Sequence, residues 1–222
     1  MLALVPTPVG NLEDVTLRAL RVLREADLVA AEDTRHASVL LKHHGISRPL
    51  LSLHEHNEAR RAEEIAARVA AGETVALLTD AGTPGISDPG FRVVRACIER
   101  GLELTVLPGP SSILPALVGS GLPLHEFYFG GFLPVKSGRR KTVLEAALAR
   151  RETSIFFESP HRIAKSLAVL AELAPERQVC VARELSKKFE EYWRGTAAEL
   201  SARAEKQPPR GEICLLIAGP EA

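Results

Sequence analysis

Val75-Ala76-Leu77-Leu78-Thr79-Asp80-Ala81-Gly82-Thr83-Pro84-Gly85-Ile86-Ser87-Asp88-Pro89-Gly90 carries the reading that decides the fold. Val75–Thr79 is a short apolar run, the pattern of a strand buried on both faces of a parallel sheet. Thr79–Gly90 then places three glycines and two prolines in twelve residues, and a helical pattern begins at Phe91. Strand, glycine-rich loop and helix in that order predict an α/β unit, with main chain able to approach a ligand closely in the loop.

Outward from that stretch the scheme repeats. Strands are predicted at Leu2–Val5, Leu28–Ala31 and Leu104–Leu107 in the first half. In the second half they are predicted at Phe127–Phe129, Ser154–Phe157, Gln178–Ala182 and Glu212–Ala218. Between them, Val15, Ala19, Val22 and Ala26 keep helical spacing, as do Ala62, Ile65, Ala66 and Val69. Gly72 and Gly101 follow helical patterns, where a left-handed cap requires glycine. Ser159-Pro160 reads as a helix start, and Thr196 with Glu199 as a capping box. Ser186–Gly195 reads as a hairpin or an exposed loop, and no internal repeat is visible. The expectation is two α/β domains with mostly parallel sheets, residues 1–118 and 119–222, divided near Gly119, Gly121 and Pro123. A ligand cleft is expected between the halves.

The arithmetic is that of an ordinary globular protein: 222 residues, 45% hydrophobic and 25% charged, which excludes disordered, collagen-like and disulfide-scaffold classes. Lys plus Arg equals Asp plus Glu at 28 each, so a nucleic-acid partner would need a local basic patch. Cys97, Cys180 and Cys214 are far apart and sit in apolar surroundings, the pattern of buried free thiols in a reducing compartment. MLALVPTP lacks a basic n-region, and no apolar run approaches spanning length. A soluble, cytoplasmic protein is expected.

Three segments follow predicted strands and precede helices: Pro6–Asn11, Thr79–Gly90 and Pro108–Ser112. Open α/β sheets bind ligands at that edge. Pro6–Asn11 is not GxGxxG and reads equally well as a plain strand–helix turn. In the second segment Asp80 and Asp88 are placed to accept hydrogen bonds from a ribose or an amine; in the third, Ser111 and Ser112 read as ligand contacts or simply as a helix cap, the commoner use of serine there. Glu32-Asp33-Thr34-Arg35 ends a strand, and capping by Asp33 or Thr34 accounts for part of that cluster. His54-Glu55-His56 has metal-ligand residues but no third ligand, so no metal is expected. Lys136, Arg139, Arg140 and Lys141 put four cations in six residues with Ser137 and Gly138 for mobility, which reads as a mobile basic loop suited to phosphates or equally as a solvated helix start. Arg183-Glu184, Lys187-Lys188 and Glu190-Glu191 surround a strand end as surface pairs or cleft residues.

LVPTPVGNLEDVTLRAL, AEDTRHASVLL, LSLHEHNE, LLTDAGTPGISDPG, LPGPSS, FLPVKSGRRK, FFESPHR and ARELSKKFEE occur in that order over nearly the whole chain. Together they resemble the ribosomal RNA small subunit methyltransferase I family of the tetrapyrrole-methylase-like superfamily. The resemblance implies a homodimer, with S-adenosylmethionine in the interdomain cleft. It also implies methylation of a cytidine ribose 2′-hydroxyl in the decoding region of 16S rRNA, within the small ribosomal subunit. For the cofactor it implies Pro8 and Val9; Gly82, Thr83, Pro84, Gly85 and Ile86 with neighbouring Asp80; Ser111 and Ser112; and Phe157 beside Glu158. Thr83 stands where relatives often carry Asp. Many members continue past LLIAG with an extension that is expected to add RNA-binding surface, whereas this sequence stops at Ala222.

Methyl transfer to a ribose hydroxyl needs in-line positioning and a proton acceptor, and requires no metal. The candidate acceptors are Glu32, Asp33, Glu158 and Glu184, with Arg35 or Lys187 orienting the ribose or its phosphate. Lys136, Arg139, Arg140 and Lys141 are the candidate RNA-backbone contacts. Two rival readings are a tetrapyrrole-precursor methyltransferase of the same superfamily and a non-catalytic ribosome-binding module.

Overall fold

A computed structural model of the chain describes residues 1–220. The chain forms two compact α/β units, Met1–Ser111 and the residues from Ser112 onward. The first runs β1 (Leu2–Leu4), α1 (Leu17–Glu25), β2 (Leu28–Ala31), α2 (Thr34–His43), β3 (Leu50–Ser52), α3 (Glu58–Ala70), β4 (Val75–Leu78), α4 (Phe91–Glu99) and β5 (Leu104–Val106). Its sheet has the order β3-β2-β4-β1-β5, with every pairing parallel.

The apolar runs are continuous because both faces are covered. Ala3, Val5, Val29, Ala31, Ala76 and Leu78 pack against α1 and α2, through Ala19, Leu23, Ala37 and Leu41. The alternate residues Leu2, Leu4, Leu28, Ala30, Val75 and Leu77 pack against α3 and α4, through Ala62, Ile65, Val93 and Cys97. The placement of β4 between β2 and β1 matters most for function. It sets the carboxyl ends of β2, β4, β1 and β5 side by side, although they are far apart in sequence.

The second unit runs α5 (Ile113–Ser120), β6 (Phe127–Phe132), α6 (Ser137–Leu148), β7 (Thr153–Glu158), α7 (Ile163–Leu173), β8 (Gln178–Arg183), β9 (Glu191–Thr196), α8 (Ala197–Lys206) and β10 (Ile213–Ile217). Its sheet order is β6-β7-β10-β8-β9. One face packs Phe156, Val179, Val181 and Leu215 under α6, α7 and α8; the other packs Ile155, Cys180, Cys214 and Leu216 under α5.

Four expectations are corrected. The second sheet is mostly antiparallel: only β6 and β7 pair in parallel, because β8 and β9 form a hairpin and β10 inserts against both β7 and β8. The division between units falls at Ser111/Ser112 rather than near residue 119, since α5 belongs to the second core. The Tyr192 hydroxyl donates to the Pro115 carbonyl at 3.0 Å, and a Cβ at Gly119 would collide with the Tyr192 ring. Gly119 is therefore small for packing, and Gly121 (φ +75°) is the left-handed cap of α5 rather than part of a linker. Ser159 opens a turn, accepting from the Ile163 amide, and α7 begins only at Ile163. Finally, Lys136–Lys141 is the start of α6 rather than a mobile loop.

Other local readings hold. Thr196 and Glu199 make both bonds of the capping box before α8, and Gly72 and Gly101 have left-handed φ values. All three cysteines are free and buried.

Candidate active site

At the carboxyl edge of the first sheet, the three loops predicted from sequence are tied to one another. Thr7, after β1, pairs with Gly82, after β4, through two main-chain bonds of 2.9 Å. The Thr7 hydroxyl, buried, donates to the Thr79 carbonyl at 3.0 Å. The Thr83 hydroxyl donates to the Pro110 carbonyl at 3.4 Å, which joins the β5 loop to the β4 loop. Gly109 lies so close to Pro6 that a Cβ would stand 2.8 Å from the proline's own. Gly82 and Gly85 have φ of +78° and +85°, a region that costs an L side chain energy. Pro8, Val9, Asp80, Gly82, Thr83, Pro84, Gly85, Ile86 and Ser111 are thus carried by one fixed group of loops. Ser112 belongs to the second unit, where it is the cap residue of α5 but makes no side-chain cap bond.

Carboxylates gather at the β2 and β4 ends of the same edge. The Asp33 amide donates to Asp80 Oδ1 at 3.2 Å, and His36 Nδ1 lies 3.2 Å from Asp80 Oδ2. Burial, then the charges of Asp88 and Asp80, push the Glu32 carboxyl up to about 7, despite a bond from the Asp80 amide. Burial and the neighbouring Asp80 likewise push Asp88 up to about 6. Like charges sharing a partly desolvated site raise one another in this way. Glu32 therefore exchanges a proton near neutral pH.

Asp33 is different. It caps α2 by accepting the Arg35 amide at 2.8 Å, and its carboxylate grips the Arg35 guanidinium, with Oδ2 to Nη2 at 2.5 Å. The Arg35 side chain holds the Asp33 carboxyl far below the usual carboxylate range. Asp33 is thus a capping anion and Arg35 its partner. The His54 ring approaches the Asn57 amide at 3.0 Å in the turn before α3. Glu58, which the sequence did not single out, is buried and accepts from the Gly90 and Arg92 amides at 2.8 and 3.0 Å. It closes the start of α4 and fixes the far end of the Thr79–Gly90 loop.

In the second unit the other candidates are bound up locally. The Glu158 side chain is fully buried. Oε1 accepts from the Ser159 amide (2.8 Å) and Arg162 Nε (2.9 Å), and Oε2 accepts from the Ser166 hydroxyl (2.6 Å). Those bonds make it the anchor of α7. Glu184 (φ +51°) accepts from the Glu212 amide and Lys187 Nζ, both at 3.0 Å, while Lys187 also bonds Glu212 at 2.9 Å. Burial would raise the Glu184 carboxyl, but these donors bring it below its ordinary value. Burial would likewise lower the Lys187 ammonium, but the two carboxylates raise it. The pair closes the β8–β9 turn. Phe157 is half-buried, with its ring centroid 5.0 Å from Phe129 and 5.2 Å from Phe132. Of the four cations, Lys136 and Arg139 are exposed, Arg140 is buried, and Lys141 pairs with Glu172 at 3.2 Å.

His36 was not assigned a role from sequence, and Asp88 only that of a hydrogen-bond acceptor for a ribose or an amine. Their signal was positional: both follow the ends of strands that the topology makes neighbours, and neighbour order is not written in the local pattern.

Residues 1–201 match the family described as tetrapyrrole (corrin/porphyrin) methylases. The chain belongs to that family. It is accordingly a methyltransferase, and relatives similar to it over nearly the whole chain carry the name ribosomal RNA small subunit methyltransferase I. That from Escherichia coli O157:H7 is 46% identical, with 100% of this chain and 78% of the relative covered. That from Thermotoga maritima is 43% identical, with 99% of each covered. Among solved structures, diphthine synthase is similar in fold, with a TM-score of 0.75 at 15% identity, covering 98% of this chain and 89% of that one. The uroporphyrin-III-C-methyltransferase of Thermus thermophilus has a TM-score of 0.68 at 23% identity, covering 98% and 93%.

Proposed function

We propose that this methyltransferase transfers the methyl group of S-adenosylmethionine to the 2′-hydroxyl of a cytidine ribose in the decoding region of 16S rRNA. The substrate class comes from relatives named for ribosomal RNA that match over nearly the whole chain. We further propose a cytoplasmic homodimer acting on the small ribosomal subunit, as the family resemblance implies.

One observation carries the assignment of the site: the tied loops at the carboxyl edge of a parallel sheet, beside carboxylates that are not saturated by cations. Open α/β sheets bind ligands at that edge. The donor set fits the cofactor. Main chain at Gly82 and Gly85 lies open, with no neighbour crowding the space of a Cβ at Gly85. Asp80 and Asp88 suit an ammonium, a sulfonium or ribose hydroxyls. Pro8, Val9, Thr83, Pro84, Ile86, Ser111, Ser112 and Phe157 complete the proposed set. The cofactor, when bound, supplies an electrophilic methyl group. Glu32 takes the ribose proton, since a base with a pKa near 7 is free to accept at neutral pH. Burial, and then the charges of Asp88 and Asp80, keep that pKa high.

The test is transfer of labelled methyl from S-adenosylmethionine to small subunits lacking the modification, followed by nuclease digestion and mass spectrometry. Label on a single cytidine ribose is expected. Label on a base, on protein, or only on a porphyrin precursor refutes the reading.

A further inference from the structure

The start of α6 holds a cation without an anion. Arg140 is 5% exposed, and among the described residues its side chain makes one hydrogen bond, from Nη1 to the Val135 carbonyl at 3.3 Å. Its Nε is buried and finds no partner among the described residues, and no carboxylate there pairs with it. Removing a guanidinium from water without a counter-charge is costly, and native structures compensate such charges.

The surroundings say what compensates it. Helical side chains lean toward the N-terminus, and Val135 directly precedes the cap residue Lys136. The guanidinium therefore lies under the open end of this twelve-residue helix. No side chain caps that end, and its first turn contains no acidic residue. Ser137, Gly138 and Arg139 are exposed, and the space where a Gly138 Cβ would stand is open. Uncapped first-turn amides and the positive pole of the helix form an anion site. Lys136 and Arg139 add two exposed cations at its rim.

We propose that this pocket binds one phosphodiester of the RNA substrate, through the Ser137 and Gly138 amides and the Arg140 guanidinium. The inference rests on the ribosomal RNA reading above and gives that substrate an anchoring point in the second unit. RNA is favoured over a free anion because the same segment presents Phe132, 60% exposed, four residues before Lys136. Backbone neutralisation beside an exposed aromatic ring is the means by which proteins hold single-stranded nucleic acid.

The test uses the full chain labelled with 15N, titrated first with inorganic phosphate and then with a short cytidine-containing oligoribonucleotide. The Ser137 and Gly138 amides and the Arg140 Nε–H resonance are expected to move with both. In Lys136→Ala/Arg139→Ala, which alters only exposed side chains, the slope of log affinity against log salt should fall by about 1.4 if each cation meets a phosphate. Stationary resonances in both titrations, or an unchanged salt slope, overturn the proposal. Movement with phosphate but not with the oligonucleotide overturns it too, leaving a site for free anions. If these resonances move with RNA but no RNA accepts methyl, the proposed function fails while this site stands.

Discussion

Replacing Glu32 by glutamine should make the protein more stable at pH 8 and leave it unchanged at pH 4. The Glu32 carboxyl rises from 4.5 to about 7 on folding, because burial and then the charges of Asp88 and Asp80 disfavour its ionised form. Between those two values the folded state binds a proton that the unfolded state releases, so stability falls as pH rises through the interval. Below 4.5 both states are protonated and nothing is lost; above about 7 the whole penalty is present. At full strength the shift corresponds to ~3 kcal/mol. Glu32 retains contact with solvent, which screens the interaction, so roughly 1–1.5 kcal/mol is expected. Glutamine keeps the shape and carries no charge, which relieves that penalty at pH 8. Thermal unfolding followed by circular dichroism from pH 4 to 8.5 should show the two midpoints together at the acid end. They should separate by roughly 2–6 °C at the alkaline end, with the variant higher. The same variant should lose most of its methyl transfer at pH 7.5. A difference in midpoint that does not vary with pH, or a variant less stable at pH 8, would refute the electrostatic account.

Three other outcomes follow from the same geometry. Methyl transfer by the unaltered protein should rise with pH through about 7 as Glu32 ionises, and Asp88→Asn should move that rise to lower pH by removing a like charge; a pH–rate profile reads both. Glu158→Ala strands the Arg162 guanidinium and the Ser166 hydroxyl in a buried site, so denaturant unfolding should show a loss of ~3–5 kcal/mol. Gly109→Ala forces the β5 loop off Pro6, costing ~1–3 kcal/mol and weakening S-adenosylmethionine binding in a calorimetric titration, while Gly138→Ala, with open space at its Cβ, should leave that binding unchanged.

The first unit was largely legible because its strands are buried on both faces and its loops carry glycine and proline. Continuous apolar runs at Leu2, Leu28, Val75 and Leu104 locate four of its five strands. Leu50–Ser52 was missed: it is a three-residue edge strand, half-buried throughout, and gives no periodic signal. The second unit was less legible in its topology. Strand direction depends on which segments pair, and the pattern of Gln178–Ala182 is the same whether its neighbours run with it or against it. The glycines at 119 and 121 misled for a related reason, since a glycine needed for ring packing or a helix cap looks in sequence like one needed for a linker.

The acidic residues of the candidate site show what sequence can and cannot separate. Glu32, Asp33, Glu158 and Glu184 all stand at or just beyond strand ends, and by residue type they are interchangeable as proton acceptors. Their neighbours distinguish them. Asp33 is consumed by Arg35 and a helix amide, Glu158 by Arg162, Ser166 and an amide, and Glu184 by Lys187 and an amide. Such bonds orient all three carboxylates, which suits an anchor, and hold Asp33 and Glu184 below their ordinary values. Glu32 faces Asp80 and Asp88 instead, and the same physics acts with the opposite sign to bring it within reach of a proton at neutral pH. Chemistry at this edge is therefore proposed to fall to the acid that folding leaves among its own kind, and a double replacement of Asp80 and Asp88 by asparagine should lower the Glu32 carboxyl part of the way, read as a shift of the pH–rate profile, with burial, the largest cause, still holding it above an ordinary carboxyl.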